Sequence, residues 1–445
     1  MKRVVALLCI SVLWAPGVRA ADEMEVPVTL PEAVSIAIKR HPDVGKARAA
    51  ADALKGKVRE VRAQALPDVN IHGMFMRVRD PSLLNASGID KFPPELQNAL
   101  VPTGVNLFDY RLTVKQPLYT AGRIGTALKL ASVEAEGSLA EIDRAEQDIA
   151  LEVVKAFYGL LWAEKYLEQV EQTQRQRQAH ADMARTRFQN GVATEVDVLR
   201  LEVAVANGLP ELARARNAVR QARALLNYYL GRPIEAPTRI SGEFQEKPWE
   251  ETDLDALVSE AFRSRPELNR LRIAEHSAGV QLNLAKSESR MRADFVADYG
   301  VSSRLPSNLM NSKFLRWDVA VNFTLPVFDG FRRNGLVEQA VAAQRTARLE
   351  REKAEEQIRL TLQQRLDELT AAAETVAAAR ANLKQAQRVL EMTEANYKYG
   401  AATPLDIVDS QVALSLAQTN LLRGLHDYTI ARASLRWSMG QKPWE

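Results

Sequence analysis

Hydrophobic residues recur in this chain with a helical period along one very long stretch. Between Gly335 and Gly400 there is neither glycine nor proline. Apolar residues recur there at coiled-coil spacing, at Leu362, Leu366, Leu369, Ala373, Val376, Leu383, Ala386 and Leu390. At about 1.5 Å per residue, a helix over about 336–399 would be roughly 95 Å long. The pattern therefore predicts a helix far longer than a small domain is wide.

A second helix of similar length is predicted over about 123–189. Both long helices stop near a glycine, Gly191 or Gly400. Glycine adopts the left-handed conformation that commonly ends a helix. Shorter return helices are predicted over about 194–230 and about 404–438. The sequence thus predicts two long helical hairpins.

Four short segments alternate with period two instead. In 110–115 and 317–325, apolar residues interleave with polar ones at every second position. The alternation is weaker in 69–75 and 295–301. With its flanking residues, each run is about the 9–11 residues of a tilted strand that crosses a membrane. Two amphipathic strands are therefore predicted before each hairpin.

The sequence contains an internal duplication. One fixed offset aligns residues 116–119 with 325–328, the first tip glycine with the second, and Gly231 with Gly440. We predict a first structural repeat over 21–231, a linker over 232–252 and a second repeat over 253–445. The first copy carries an insertion over about 79–107. A period this long indicates a duplicated domain half rather than a small solenoid repeat.

The first helix of each repeat has a readable start. Thr29 precedes Glu32 by three residues, and Thr252 precedes Asp255 by the same interval. A hydroxyl before a helix, with a carboxylate three residues on, is the pattern of a capping box. Both repeats are therefore predicted to open on a capped helix.

Residues 1–20 read as an export signal. Lys2 and Arg3 precede an apolar run, and small residues lead up to Ala21. Cys9, the only cysteine, lies within the signal. The mature chain is therefore predicted to have no disulfide and no lipid anchor at the cleavage point.

Charge and composition exclude several functions. The formal net charge of +3 equals the three basic residues of the signal, so the mature chain is balanced and gives no support for nucleic-acid binding. The histidines lack the paired spacing of a metal site: His41, His72, His180, His276 and His426. No nucleophile triad, phosphate loop or acid–base pair stands out. We predict no enzyme, no cofactor and no metal.

An open sheet of four amphipathic strands cannot stand alone in lipid. Each unpaired backbone amide or carbonyl costs several kcal/mol there. A barrel needs about eight strands or more, so two copies are the minimum and three would give twelve. The alternative is a periplasmic coiled-coil scaffold or pump adaptor that never enters the membrane.

The sequence resembles the TolC family of outer-membrane efflux proteins over nearly the whole mature chain. The resemblance rests on the opening 29–34, the strand-ending 116–119 and 325–330, the hairpin tips at Gly191 and Gly400, and the duplication itself. It implies a mainly α fold with a small antiparallel β part. A long coiled-coil α-barrel would continue from a transmembrane β-barrel completed by homotrimerisation, with four strands per chain.

The same resemblance implies a location and partners. The chain would lie in the bacterial outer membrane, with a long periplasmic extension. It would be the exit duct of a tripartite efflux or type I secretion system. A periplasmic adaptor and an inner-membrane pump or ABC transporter would load this passive conduit.

Specific site residues follow from the resemblance. Asp406 and Asp409, one turn apart on the return helix, match the family's pore-constricting acidic pair. The competing interpretations are a helix cap for Asp406 and an ordinary solvated carboxylate for Asp409. Tyr397 and Asp197 match positions that latch inner and outer hairpins in the closed state. Ala402 stands where the best-known member has a supplementary arginine.

The resemblance also implies that the hairpin tips are the docking edge for the adaptor, where small residues let a helical hairpin approach closely. The residues in question are Gly191, Val192, Ala193, Thr194, Gly400, Ala401, Ala402 and Thr403.

Overall fold

The computed structural model describes residues 27–78, 93–95, 105–244 and 253–444. The predicted signal peptide, most of the predicted insertion and part of the predicted linker lie outside these ranges. The first repeat contains α1 Leu30–Arg40, α2 Pro42–Ala63, β1 Asp68–Val78, β2 Val105–Tyr119, α3 Arg123–Gln189 and α4 Glu195–Tyr229. The second contains α5 Leu254–Ser264, α6 Pro266–Ser287, β3 Arg292–Ser303, β4 Leu315–Thr324, α7 Arg332–Lys398 and α8 Pro404–Ser438.

The two predicted hairpins are confirmed. Helices α3 and α7 each have 67 residues, and the return helices α4 and α8 each have 35. Each long helix therefore spans roughly 100 Å at about 1.5 Å per residue. No helix among the described residues is long and apolar enough to cross a membrane.

One capping box is confirmed and the other is not. The Glu32 carboxylate accepts hydrogen bonds from the Thr29 amide at 2.9 Å and from its hydroxyl at 2.8 Å. In the second repeat the N-cap is Asp253, one residue later than predicted, and its side chain makes no cap hydrogen bond. Helix α5 therefore starts one residue later than predicted, and the predicted cap residue Thr252 lies outside the described residues.

The core lies where the hairpin helices pack against the short helices. A first cluster includes Phe157, Leu160 and Leu226, and a second includes Leu268, Leu362 and Leu435. Of the predicted coiled-coil stripe on α7, most positions are buried or half-buried. Ala373 is exposed, and its neighbour Ala372 packs against the second cluster instead. The stripe therefore departs from the prediction at this one turn and returns to the predicted positions at Val376, Leu383, Ala386 and Leu390.

The four strands form one antiparallel sheet in the order β1-β2-β3-β4. Apolar side chains on one face are exposed: Ile71, Phe75, Leu112, Tyr299, Trp317, Val319, Val321 and Phe323. The other face is polar. Arg316 on β4 reaches across β3 to Asp109 on β2, with 3.5 Å between Nη1 and Oδ2. Thr113 donates a hydrogen bond to Asp298 on the same face. The predicted two-faced strands are confirmed.

Candidate channel constriction and hairpin tips

The long helices end in matching turns. Gly191 and Gly400 have φ angles of 74° and 76°, so the predicted left-handed glycines are confirmed. The Val192 amide donates to the Arg187 carbonyl at 2.9 Å, and the Ala401 amide donates to the Asn396 carbonyl at 2.9 Å. These backbone bonds close each helix end in the manner of a Schellman motif. Each tip is therefore a tight turn whose backbone hydrogen bonds are made within the turn itself.

The return helices start on capping boxes. The Asp197 carboxylate accepts from the Thr194 amide at 3.0 Å and from its hydroxyl at 2.8 Å. Asp406 repeats this arrangement with Thr403, at 2.7 Å for both bonds. The capping interpretation of Asp406 is thus confirmed. The same Thr-x-x-Asp pattern at Thr194 could have revealed the capping role of Asp197.

These bonds shift the acidity of both carboxyls. Hydrogen bonds from Thr194 lower the pKa of Asp197, and its hydroxyl has a larger effect than its backbone amide. Hydrogen bonds from Thr403 lower the pKa of Asp406, and here its backbone amide has a larger effect than its hydroxyl. Hydrogen bonds donated to a carboxylate favour its charged form. Both side chains are therefore held as anions at neutral pH.

A pH dependence of the tips follows. A depressed folded-state pKa adds stability that is present above the unfolded value of about 3.9 and is lost as the pH falls through the folded value. We expect hydrogen–deuterium exchange of the tip peptides, corrected for intrinsic rates, to be slow at pH 7 and to accelerate below about pH 4. Thr194→Val with Thr403→Val should accelerate exchange already at pH 7. Thr361→Val, which removes a mid-helix hydroxyl bonded to Gln357, is the control. Equal tip exchange in both variants would contradict this prediction.

Asp409 lies one turn beyond the cap. Ile407 and Ser410 on the same helix are buried, whereas Asp406 and Asp409 are exposed on an adjacent face. Within the described chain, the Asp409 carboxylate makes no hydrogen bond or ion pair. The two carboxylates therefore lie on a face of α8 that points away from the packing of their own chain.

Tyr397 and Asp197 do not meet within this chain, since the described residues include no hydrogen bond between them. Tyr397 is buried, and the Arg187 guanidinium carbon lies 4.4 Å from the centre of its ring. Arg187 Nη1 also donates to the Tyr397 carbonyl oxygen at 3.3 Å. Arg187 on the outer hairpin (α3 and α4) thus holds the end of the inner hairpin (α7 and α8). The sequence analysis missed it, because no local pattern pairs residues on different hairpins.

Further contacts join the two hairpins above the tips. His180 Nε2 on α3 lies 3.5 Å from Glu394 Oε1 on α7. Higher up, the Gln169 amide donates to the Ser415 carbonyl on α8 at 3.0 Å. Val408 packs against a small buried cluster formed by α3 and α4. Helix α3 therefore contacts both helices of the inner hairpin.

The predicted docking residues lie at the surface of the tips. All are exposed except Ala193 and Ala402, which are half-buried. Tyr399, which directly precedes Gly400, is 89% exposed and was not among the predicted residues. No group of His, Cys, Asp and Glu side chains in the described ranges could hold a metal ion.

Comparison with known proteins places this arrangement in a family. The family model "Outer membrane efflux protein" matches residues 33–232 and 257–441. The outer membrane protein TolC of Escherichia coli is 23% identical over 90% of this chain and 80% of its own length. The alkaline protease secretion protein AprF of Pseudomonas aeruginosa is 24% identical over 74% of this chain and 69% of its own length.

Solved structures share the fold. The Campylobacter jejuni CmeC outer membrane channel superposes with a TM-score of 0.78 at 14% identity, over 92% of this chain and 85% of that chain. The open state of the Neisseria gonorrhoeae MtrE outer membrane channel gives 0.76 at 17% identity, over 93% and 89%. The periplasmic scaffold alternative is not favoured. The chain belongs to the outer membrane efflux protein family and is an outer-membrane exit duct with a long periplasmic helical extension.

Proposed function

We propose that three copies of this chain form one passive, non-catalytic conduit, with a twelve-stranded barrel in the outer membrane and a continuous helical barrel below it. The supporting observation is the sheet, whose two edge strands β1 and β4 are unpaired on their outer sides among the described residues and which has an exposed apolar face. Lipid strongly disfavours unpaired strand edges, so neighbouring copies must supply the missing partners. Three copies of four strands give an even-numbered barrel within the usual size range.

The conduit works with a periplasmic adaptor and an inner-membrane pump or ABC transporter. Relatives include both TolC and a protein named for protease secretion, which supports a place in either efflux or type I secretion. The adaptor docks on the exposed tips around Gly191 and Gly400. Small residues there leave room for a helical hairpin to approach, and the exposed Val192 adds apolar surface.

The constriction of the conduit consists of Asp406 and Asp409. Their exposure on the free face of α8 supports this assignment, because three-fold symmetry would turn each into a ring of three carboxylates. Rings of carboxylates attract cations and set the selectivity of a pore. Capping by Asp406 is compatible with this role, because the capped carboxylate stays charged. The Tyr397–Asp197 latch remains a prediction, and it would have to compete with Thr194 for the Asp197 carboxylate.

Single-channel recording tests the constriction. We expect Asp406→Ala with Asp409→Ala to weaken block by a trivalent cation at least about tenfold, because loss of two carboxylate rings removes more than about 1.4 kcal/mol of attraction. Asp409→Ala alone should give part of this effect and leaves the helix cap intact. Asp427→Ala, an exposed carboxylate higher on the same helix, is the matched control. Unchanged block in the double variant would remove both residues from the constriction.

A further inference from the structure

Both turns from the sheet into the long helices carry arginines, and one carboxylate joins them. Glu288 follows α6 directly. Its Oε1 lies 3.4 Å from Arg123 Nη2 at the start of α3, and its Oε2 lies 3.7 Å from Arg332 Nη2 at the start of α7. The two arginines occupy equivalent positions in the two repeats. The Glu288 carboxylate therefore joins the first and second hairpins at the ends nearest the sheet.

The next two residues of this segment extend the junction. Arg333 Nη1 donates to the Ser289 hydroxyl oxygen at 2.9 Å. Arg290 Nη1 donates to the Ala121 carbonyl in the first turn at 3.4 Å. We call the four guanidinium groups of Arg123, Arg290, Arg332 and Arg333 the arginine junction.

The arginine junction has an excess of positive charge. Arg123 and Arg332 share the single carboxylate of Glu288, Arg290 and Arg333 donate to neutral oxygens, and the Asp329 carboxylate accepts the Arg333 backbone amide at 3.0 Å. Arg123 and Arg332 are each more than half exposed and contact Glu288 with one nitrogen at more than 3.3 Å. Arginine normally binds an anion through two parallel hydrogen bonds. The junction therefore retains unused donors and the charge to attract a further anion.

An exposed apolar track leads directly to the arginine junction. The outward side chains of β4 continue past the strand end through Leu325 to Val327, which is 92% exposed. Phe328 and Phe331 follow, both exposed, with their rings 5.7 Å apart in an edge-on arrangement. The track ends at the residue before Arg332. The lipid-facing side of the sheet is therefore continuous with the junction.

Phe331 is held in an unfavourable backbone conformation. Its φ angle is 65°, whereas the equivalent residue of the first repeat, Gly122, has 82°. A bulky side chain is a genuine outlier in this region. The ring is 70% exposed and contacts only Phe328 among the aromatic residues of the described chain. The contacts of the exposed Phe331 ring within the described chain are too few to offset the cost of the strained backbone. This indicates that the ring packs against a partner outside the chain.

We propose that the arginine junction binds the phosphate of a phospholipid in the periplasmic leaflet of the outer membrane, while Phe328 and Phe331 lie among the neighbouring lipid chains. The inference rests on the outer-membrane location and not on the proposed constriction or docking edge. Aromatic side chains concentrate at the membrane interface, and clustered cations bind anionic headgroups there. The site fixes the depth at which the barrel gives way to the helices. The excess positive charge favours an anionic headgroup such as phosphatidylglycerol.

Thermal unfolding of the purified full-length protein in dodecyl maltoside micelles tests the site. The micelles contain dioleoylphosphatidylglycerol, or dioleoylglycerol, which has the same chains but no phosphate. We expect phosphatidylglycerol to raise the melting midpoint and dioleoylglycerol to leave it unchanged. Arg123→Gln with Arg332→Gln should lose at least half of the rise. Arg348→Gln with Arg388→Gln, which removes two exposed arginines of α7 outside the arginine junction, should keep all of it.

A second variant covers the case in which the double arginine variant fails to fold. Phe331→Gly relieves the left-handed strain, so it should raise the midpoint in lipid-free micelles and shrink the rise that phosphatidylglycerol causes. Equal rises in all variants, or an equal rise with dioleoylglycerol, would overturn the proposal. So would reproduction of the effect by inorganic phosphate at the same concentration, because the ligand would then be a free anion. Cation block should be unchanged in these variants, which separates this outcome from failure of the constriction.

Discussion

Replacing Gly440 with valine is expected to destabilise the folded protein by at least about 3 kcal/mol. Gly440 follows α8 with a φ of 74°. A Cβ at this position would lie 2.7 Å from the Ser264 carbonyl carbon and oxygen, and 2.8 Å from the Arg265 nitrogen. These are backbone atoms at the α5–α6 junction, so they cannot move aside as a flexible side chain would. The measurement is the melting midpoint in detergent, followed by the helical circular dichroism signal.

Valine substitutions at other glycines separate the cost of the steric clash from the cost of the left-handed backbone. Gly400 has nearly the same φ, 76°, but an added Cβ would meet no atom within 4 Å. Valine there should cost only the left-handed penalty of about 1–2 kcal/mol. Gly231, the repeat equivalent of Gly440, is intermediate, since a Cβ would lie 3.1 Å from the Arg40 Cβ. The expected order of destabilisation is therefore Gly440, then Gly231, then Gly400. Equal losses at Gly440 and Gly400 would show that the contact with Ser264 contributes nothing.

Local patterns were sufficient to predict most of the fold. The alternation in 110–115 and 317–325 predicted two-faced strands, because side chains in a strand alternate between its faces. The uninterrupted stretch before Gly400 predicted a helix whose observed end, Lys398, lies within a residue of the prediction. The start of α5 lies one residue later than predicted, with Asp253 as its N-cap, because several polar residues before a helix can each serve as a cap. These features depend on neighbours in the sequence, which is why they could be predicted.

The contacts between elements could not be predicted in this way. Arg187 meets Tyr397, and Glu288 meets both Arg123 and Arg332, only because the repeats pack side by side. Asp197 is a different case, since its partner Thr194 is three residues away. The resemblance assigned Asp197 to a latch, and this interpretation displaced the simpler capping signal. A family role and a local role for one side chain need to be weighed against each other at every matched position.

The second large effect is expected at Arg187, the residue that holds the end of the inner hairpin. Cation–π contacts contribute about 0.5–2 kcal/mol, and a charged hydrogen bond to a carbonyl about 1.5–3 kcal/mol. Arg187→Ala removes both from each chain. We expect the variant to populate a conducting state at least about tenfold more often than the unmodified channel in planar bilayers, since tenfold corresponds to only about 1.4 kcal/mol.

A matched control lies two residues away. Arg185 pairs with Glu202 at 2.5 Å and with Asp182 at 3.1 Å, all within the outer hairpin. Arg185→Ala removes the same charge from the same helix without touching the inner hairpin, so its conductance should stay unchanged. Arg187→Lys should restore part of the closed population, because it keeps the cation but loses the planar donor group. Equal opening in Arg185→Ala and Arg187→Ala would assign the effect to charge alone.

Tyr397→Phe distinguishes Arg187 from the predicted latch. Arg187 contacts the ring face and the backbone carbonyl of Tyr397, and neither contact uses the phenol oxygen. Removing only the hydroxyl should therefore leave the closed state intact if Arg187 provides most of the binding energy. A latch to Asp197 depends on that hydroxyl, so the same variant would open the channel if the latch dominates. Because Asp197 is already bonded to Thr194, we expect Tyr397→Phe to conduct like the unmodified channel.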